Sequence, residues 1–288
     1  MKKTLYISDL DGTLLNSRAE VSEKSKAIIS RLITEKNILF SVATARTPAT
    51  VVRMLDGIEN RLPYIVMTGA AMWNNGLVNR RYIRPEEVDY LLEACRKAGV
   101  RPFVYSFDGS GLVAYHSPEM NDYEREFVAQ RQKSVYKRFV FVDELPEEAR
   151  QSTMLLFVSG CPEVLGVAYR QAQVDGLPCT MSYYYDTYQP TVGFFEIMAE
   201  GASKAAALKS LVAETGAERV VVFGDSANDL SMREVADLFI APANADEKVK
   251  AVADAVLKKA PDQEILRQYP DEPDEVCRPR IEDRLEVS

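Results

Sequence analysis

Two carboxylates two residues apart stand near the start of the chain, directly after a short apolar run. Asp9 and Asp11 follow Leu5–Ile7, which the pattern predicts as a buried strand, and Gly12 predicts a turn behind them. Ligands of open α/β sheets bind at the carboxyl ends of the strands. Two acids so close repel each other unless a cation or a proton shares the site. The pair suits phosphoryl chemistry, while an acidic pair in a solvated turn is the alternative that these residues alone leave open.

Three further polar groups stand at the ends of predicted parallel strands or in the first turn of the next helix. They are Thr44, Lys204 and the run 225–229, which is Asp-Ser-Ala-Asn-Asp. Each has an ordinary alternative, since a Thr often caps a helix, a Lys in a first helical turn is usually solvated, and an Asx turn often leads into a helix. Together with Asp9 and Asp11 they would supply a nucleophile, a proton donor, groups for phosphate oxygens and acids for a cation. Oxygen ligands of this kind suit Mg²⁺.

The elements that would position these groups alternate as in a parallel sheet covered on both faces. Continuous apolar runs predict strands at 38–43, 64–67, 219–223 and 238–241, with helices between them. The segment 84–189 differs, because its short strands joined by the turn 108–111 predict hairpins mixed with helices. We therefore predict an α/β protein with a Rossmann-like parallel-sheet core and an inserted α+β domain. The predicted boundaries are 1–83 and 190–260 for the core, 84–189 for the insertion and 261–288 for a C-terminal tail.

Composition and charge exclude several classes of function. The 288 residues carry a net charge of −8 and a pI near 5.0, which argues against nucleic acid or an anionic membrane as partner. With neither a signal segment nor a long apolar run, the sequence predicts a cytoplasmic protein. Four cysteines without CxxC spacing indicate neither a zinc site nor a disulfide framework. A single histidine, His116, rules out a metal site built from a histidine cluster.

The order of these motifs resembles that of the haloacid dehalogenase (HAD) superfamily. The resemblance is carried by Asp-Leu-Asp-Gly-Thr-Leu at 9–14, Ala-Thr-Ala-Arg at 43–46, Ser-Lys at 203–204 and Gly-Asp-Ser-Ala-Asn-Asp at 224–229. The insertion between the second and third motifs is similar to the α/β cap of the Cof-type phosphatase branch. Departures from that branch include Thr-Ala-Arg at 44–46 for Thr-Gly-Arg and Thr-Gly-Ala at 68–70 for Asn-Gly-Ala.

The resemblance implies a role for each matching residue. Asp9 would be the nucleophile and Asp11 the general acid and base. The residues implied to bind phosphate are Thr44, Lys204 and Asn228. Mg²⁺ would be held by the Asp9 side chain, the Asp11 backbone carbonyl and Asp225, with Asp229 supporting the lysine and the metal shell. Weaker candidates for substrate contact are Arg46, Arg101 and Tyr184 in the aromatic run 183–188.

The expected function is that of a Mg²⁺-dependent phosphomonoester hydrolase, acting on a small phosphorylated metabolite through an aspartyl-phosphate. Sugar phosphates are the favoured substrate class. Two alternatives stay open: a phosphomutase or phosphotransferase with the same intermediate, and a non-enzymatic phosphometabolite sensor. The sequence indicates no particular oligomeric state.

Overall fold

The computed structural model describes residues 2–185 and 191–258, so Cys277 and the predicted tail at 261–288 lie outside the described residues. The strands are β1 (Thr4–Ser8), β2 (Leu39–Val42), β3 (Tyr64–Val66), β4 (Ala71–Trp73), β5 (Leu77–Val78), β6 (Phe103–Phe107), β7 (Leu112–His116), β8 (Lys137–Phe141), β9 (Thr153–Gly160), β10 (Cys179–Tyr185), β11 (Gly193–Ala199), β12 (Arg219–Phe223), β13 (Leu238–Ala241) and β14 (Ala255–Val256). The helices are α1 (Glu23–Glu35), α2 (Pro48–Met54), α3 (Pro85–Lys97), α4 (Asp122–Arg131), α5 (Glu147–Arg150), α6 (Pro162–Val174), α7 (Lys204–Thr215) and α8 (Glu247–Lys250).

Of the described residues, the first of two compact units contains 2–45, 52–65 and 204–258. Its five-stranded sheet has the order β14-β13-β12-β1-β2, and every neighbouring pair is parallel. A parallel bridge between Ala43 and Ile65 places β3 beside the end of β2. The central strand β1 is apolar at Leu5 and Ile7, both fully buried. This sheet confirms the predicted α/β class.

The carboxyl ends of β1 and β12 meet at one edge of this sheet. Ser8 at the end of β1 is in register with Phe223 at the end of β12. The backbone N–H of Asp9 donates to the carbonyl of Phe223 across 2.9 Å. Because parallel strands in register end together, the acid after β1 and the Gly-Asp turn after β12 become neighbours although more than 200 residues separate them.

Of the described residues, the second unit contains 46–51, 66–185 and 191–203, and it is built on a six-stranded sheet. Its order is β10-β11-β9-β6-β7-β8, antiparallel throughout except for the parallel pair β7–β8. Alternate side chains of a strand point to opposite faces, which gives this sheet two distinct surfaces. On one face α4 packs through Phe127, whose ring lies 5.5 Å from that of Phe157. The other face carries Phe195 and Ile197 beneath α3 and α6.

Two strands of this sheet depart from the sequence pattern. The pattern ends the insertion at 189, whereas the second unit extends to 203, because β11 pairs with β10 on one side and β9 on the other. The segment 137–141 carries no predicted element, and the structure shows that β8 pairs there with β7. Strand β8 begins Lys-Arg, continues as the apolar Phe-Val-Phe and lies at the edge of the sheet, and its own residues do not show which strand it pairs with.

The lysine that begins β8 is buried among aromatic rings. Lys137 is 3% exposed, and its Nζ lies 4.6 Å from the ring centroid of Phe139, 5.1 Å from that of Phe127 and 5.3 Å from that of Tyr105. Burial, together with the nearby guanidinium of Arg131, lowers the pKa of Lys137 to about 7. The rings favour the ammonium form by cation–π attraction and offset part of this cost.

We expect Lys137→Met to raise the free energy of unfolding at pH 7 by about 1–3 kcal/mol, because the buried amine no longer has to lose its proton or its hydration. In the native chain the unfolded state binds more protons than the folded state between about pH 7 and 10, so stability rises with pH across that window. The variant should lack this rise. Urea unfolding at several pH values measures both effects, and the exposed Lys133→Met serves as the control. A variant less stable than the native chain at pH 7 would contradict the prediction.

Candidate active site

A buried lysine joins residues from three separate parts of the first unit. Lys204 begins α7, is 1% exposed, and its Nζ donates to Oδ1 of Asp9 at 2.6 Å. The same Nζ donates to Oδ1 of Asp229 at 2.7 Å and to Oδ1 of Asn228 at 3.2 Å. Asp9 itself is 4% exposed. A lysine with three oxygen acceptors is fixed in place, so its charge is held beside the Asp9 carboxylate.

The turn after β12 is organised by the second oxygen of Asp229. Its Oδ2 accepts hydrogen bonds from the backbone N–H groups of Asp225 at 3.0 Å and Ser226 at 3.1 Å. The Thr13 hydroxyl in turn donates to Oδ1 of Asp225 at 2.7 Å. A Cβ on Gly224 would lie 2.6 Å from the Cβ of Asp229, so only glycine allows this approach. Asp225 is therefore held at its backbone by its own turn and at its side chain by the turn after β1.

The turn after β1 depends on Gly12 for the same reason. Gly12 has φ +78°, and a Cβ there would lie 2.2 Å from Oδ2 of Asp225. Its carbonyl accepts a hydrogen bond of 2.8 Å from the Asn244 side-chain amide. The turn thus keeps the acids after β1 and β12 in close approach without a side chain between them.

Gly12→Ala should lower the free energy of unfolding by about 2–4 kcal/mol, because it combines a left-handed backbone with a steric clash. Turnover at this site should fall at least about tenfold, because the Asp225 carboxylate must move. Gly57→Ala is the matched control: φ is +86° there, but the nearest heavy atom lies 4.0 Å from the added Cβ. Equal losses of stability and activity in the two variants would show that backbone strain alone, not the contact with Asp225, explains the effect.

The cluster combines four acids, Asp9, Asp11, Asp225 and Asp229, with one base, Lys204. Burial raises the pKa of Asp9 well above its usual range, Lys204 opposes this, and the carboxylates of Asp229, Asp225 and Asp11 add to it. Burial and the Asp229 carboxylate raise the pKa of Asp225 to about 7. Burial opposes the charge of Lys204, but Asp229 and Asp9 together raise its pKa, so it stays an ammonium.

The same cluster fits a divalent cation. Carboxylate oxygens of Asp9, Asp225 and Asp229 all lie within 4.8 Å of one another. One ammonium group cannot balance three carboxylates, and the neighbouring carboxylates add to the effect of burial in raising the pKa of Asp9 and of Asp225. Oxygen-only donors in a partly buried turn suit a hard cation such as Mg²⁺. Because Asp229 is occupied by Lys204 and two backbone N–H groups, Asp9 and Asp225 are the better placed ligands.

The structure brings most of the predicted site residues to one edge of the core sheet. Thr44, fully buried, follows β2 beside β1, and its backbone N–H donates to the carbonyl of Ile65 at 3.0 Å. Asp11 is half-buried in the turn after β1. Arg46 and Tyr184 belong to the second unit, and their contact with substrate stays a prediction.

Sequence patterns did not single out several residues that shape the site. They are Thr13, Gly224, Ser226 and Asn244, which hold the acids through hydrogen bonds or through the absence of a side chain. Thr13, Gly224 and Ser226 were visible only as parts of motifs. The Asn244 amide follows from no local pattern, since its partner is Gly12, 232 positions earlier.

Comparison with known proteins identifies the family. A family model described as haloacid dehalogenase-like hydrolase matches residues 6–267. A putative phosphatase of Haemophilus influenzae is 26% identical over 258 residues, which is 89% of this chain and 92% of the relative. The 5-amino-6-(5-phospho-D-ribitylamino)uracil phosphatase YcsE of Bacillus subtilis is 24% identical over 256 residues, 88% of each chain. The solved structure of BT4131, a HAD subclass IIB sugar phosphatase, superposes with a TM-score of 0.65 at 21% identity, covering 88% of this chain and 92% of the other.

The chain belongs to the haloacid dehalogenase-like hydrolase family, in its Cof-type branch, and is an enzyme of the phosphatase class. The family, the fold class and the enzyme class predicted from the motifs are thereby confirmed. Within residues 2–185 and 191–258, none of the helices has both the length and the apolar character needed to cross a bilayer.

Proposed function

We propose that the protein hydrolyses phosphomonoesters of small metabolites through an aspartyl-phosphate on Asp9, with sugar phosphates as the favoured class. The observation that carries the proposal is the contact of the buried Lys204 ammonium with Asp9 at the carboxyl end of β1. A carboxylate held beside a fixed cation in a water-poor turn is suited to attack phosphorus and to tolerate the charge of a phosphate. Relatives named as a phospho-ribitylamino-uracil phosphatase and a sugar phosphatase agree with this substrate class.

In the first half-reaction Oδ2 of Asp9 attacks phosphorus in line with the leaving oxygen. An O–P bond to Asp9 forms while the ester P–O bond breaks. Asp11, in its protonated form, gives its proton to the departing alkoxide, so the alcohol leaves neutral. Thr44, Lys204 and Asn228 are the proposed contacts of the phosphate oxygens.

In the second half-reaction the aspartyl-phosphate is hydrolysed. Asp11, now ionised, accepts a proton from a water molecule as the water oxygen attacks phosphorus. The P–O bond to Asp9 breaks, the Asp9 carboxylate is restored and inorganic phosphate leaves. Acid and base help of this kind contributes about 10²- to 10⁴-fold.

The residues proposed to hold Mg²⁺ are the Asp9 side chain, the Asp11 backbone carbonyl and the Asp225 side chain. Bound there, the ion would offset negative charge on the transferring phosphoryl group, as it does in most phosphoryl-transfer sites. Asp229 would act indirectly, since it fixes both Lys204 and the backbone of the turn that carries Asp225.

Phosphate release from a panel of sugar phosphates, nucleotides and cofactor phosphates tests this function, with Mg²⁺ or EDTA added. Metal-dependent release of free phosphate, with a sugar phosphate among the best substrates, is the expected result. An isomerised phosphoester without free phosphate would indicate a mutase, and stoichiometric labelling of the protein without turnover would indicate a sensor. Exchange of Arg46 or Tyr184 should then change the ranking of substrates rather than abolish turnover.

A further inference from the structure

Two polar side chains of the second unit are buried without a hydrogen-bond partner. They are Lys137 and Tyr105, which are 3% and 2% exposed. Within the part of the chain that the structure describes, neither the ammonium nor the hydroxyl has an acceptor, and no carboxylate lies within ion-pair distance of Lys137. Buried donors in folded proteins nearly always find acceptors, so an unpaired donor points to a function in binding.

The two groups are neighbours on the face of the six-stranded sheet that α4 covers. The Nζ of Lys137 lies 5.3 Å from the ring centroid of Tyr105 and 5.1 Å from that of Phe127 in α4. Cation–π attraction to these rings stabilises the ammonium. A ring face does not replace an oxygen acceptor, however, and an ammonium has three N–H donors. The rings therefore leave the hydrogen-bonding capacity of Lys137 unused.

Arg131, in the last turn of α4, brings a second positive charge to this cluster. Its guanidinium lies over the ring of Phe127, 4.1 Å from the centroid. Arg131 adds to the effect of burial in lowering the pKa of Lys137. Burial raises the pKa of Tyr105, which Arg131 opposes, so the hydroxyl keeps its proton and can donate. Two cations and one hydroxyl donor thus lie close together.

The nearest acid does not balance these cations. Glu196 of β11 acts on Tyr105, but of the charged groups that the structure describes only Arg131 acts on Lys137. The Glu196 carboxylate accepts hydrogen bonds from Thr68 at 3.0 Å and from Tyr184 at 2.9 Å. The positive charge around Lys137 is therefore uncompensated within the described residues.

Stability does not explain the lysine. Burial lowers its pKa to about 7, and an apolar residue at the same place would avoid both the desolvation of the amine and its repulsion from Arg131. Residues that oppose the stability of the fold in this way are typical of binding and catalytic sites. The donors and the charge of Lys137 are therefore the properties to be explained.

We propose that Lys137, Arg131 and Tyr105 form a binding site for an oxyanion, either a carboxylate or a phosphate group of a small metabolite. One oxyanion would accept hydrogen bonds from these donors and relieve the repulsion between the two cations. All three residues belong to the second unit, so the site is additional to the acid cluster of the first unit. Two charge-assisted hydrogen bonds predict a dissociation constant on the order of millimolar.

The site can be tested on Lys137 itself by NMR of the full chain labelled with ¹³C at lysine Cε. The labelled protein, in EDTA, is titrated with pH in the presence of inorganic phosphate or succinate up to about 50 mM, well above the expected dissociation constant. Sodium chloride at equal ionic strength controls for screening. The signal of Lys137 is the one that Lys137→Met removes, and the exposed Lys133 is the internal reference.

Binding should raise the titration midpoint of Lys137 by at least about half a pH unit, which is about a threefold preference for the ammonium. Lys133 should not respond. Arg131→Met should weaken the binding at least about tenfold, because it removes one of the two charges. Arg138→Met is the matched control, since Arg138 is exposed and pairs with Asp108 at 2.7 Å, and it should bind as the native chain does.

Urea unfolding gives a second measurement that does not need the Lys137 signal. Succinate should stabilise the native chain and Lys133→Met, because it binds the folded state alone, and it should not stabilise Lys137→Met. Since Lys137→Met is expected to be the more stable protein without an anion, a lost response cannot be attributed to unfolding. Succinate contains no phosphoryl group, so the measurement is independent of the phosphate contacts proposed for the first unit.

Three results would overturn the proposal. One is a Lys137 midpoint that phosphate and succinate move no further than chloride does. Another is an unchanged affinity in Arg131→Met, which would exclude a site built from two cations. The third is equal stabilisation of the native chain and Lys137→Met by succinate. A response to phosphate alone would support a phosphate group as the bound anion, and a response to succinate would support a carboxylate. No readout depends on phosphatase activity, so failure of the proposed function would leave these results intact.

Discussion

Asp9→Asn should reduce phosphate release by at least about 10⁴-fold on every phosphomonoester that the native enzyme hydrolyses. Asparagine has the shape of aspartate, and its carbonyl oxygen can still accept the hydrogen bond from Lys204 at the Oδ1 position. The exchange therefore removes the nucleophilic oxygen but keeps the local packing. Steady-state phosphate release, with thermal unfolding as the test of folding, measures the effect. Because every substrate needs the attack of Asp9 in the first half-reaction, the loss should not depend on the leaving group.

Asp11→Asn is the matched comparison two residues away. Its loss should lie within about 10²- to 10⁴-fold for alkyl phosphates, because their alkoxides need a proton as they leave. For an aryl phosphate such as p-nitrophenyl phosphate the leaving group is stable as an anion, so the first half-reaction should be impaired much less. Rapid-quench labelling should then show accumulated aspartyl-phosphate in Asp11→Asn and none in Asp9→Asn.

The mechanism would be wrong if Asp9→Asn kept substantial metal-dependent activity. It would also be wrong if the phosphoryl group of a trapped intermediate were found on a residue other than Asp9. Equal losses for alkyl and aryl substrates in Asp11→Asn would leave Asp9 as nucleophile but contradict the role of Asp11 as proton donor.

Without metal, the protein should lose about 2–3 kcal/mol of unfolding free energy between pH 5 and 7 through Asp225 alone. Burial and the Asp229 carboxylate raise the pKa of Asp225 in the folded state to about 7, from the ordinary value of 3.8 for an aspartate. A folded acid with a raised pKa binds more protons than the unfolded chain between these two values. Its stability contribution is complete at low pH and is lost as pH rises toward 7. The raised pKa of Asp9 acts in the same direction.

Asp225→Asn isolates this effect from every other titrating group. The amide oxygen can still accept the Thr13 hydroxyl, but the side chain no longer ionises. In EDTA the variant should be more stable than the native chain at pH 8 and should depend less on pH. Added Mg²⁺ should stabilise the native protein at pH 8 and have little effect on the variant. Urea unfolding of both proteins at pH 5 and pH 8 in EDTA, and at pH 8 with Mg²⁺, gives the six required free energies.

The outcome of this comparison bears on the metal site independently of turnover. If native chain and variant showed parallel pH profiles in EDTA, the carboxylate repulsion inferred for the cluster would be absent. If Mg²⁺ stabilised both proteins equally, Asp225 would not be a ligand. Neither result would affect the assignment of Asp9 as nucleophile, which the Asp9 and Asp11 variants test.

Local patterns predicted the parts of the site that depend on short motifs. Asp9, Asp11 and the turn 224–229 follow apolar strands, and the structure places them at adjacent strand ends because β1 and β12 are parallel and in register. Local pattern does not predict the burial of Lys204, since a lysine in a first helical turn is normally solvated. Its burial at 1% exposure follows from acceptors on Asp9 and Asp229, which lie 195 and 25 residues away.

The sequence by itself determined the family, the α/β class and the candidate catalytic acids, because these depend on residue types at fixed short spacings. Only the tertiary structure assigned β11 to the six-stranded sheet, since strand pairing is a long-range choice that its own residues do not encode. The same holds for the close approach of Gly12 to Asp225 and for the packing of α3 and α6 over Phe195 and Ile197. Both arise from the distance between segments remote in the chain, and that distance is set by packing rather than by local pattern.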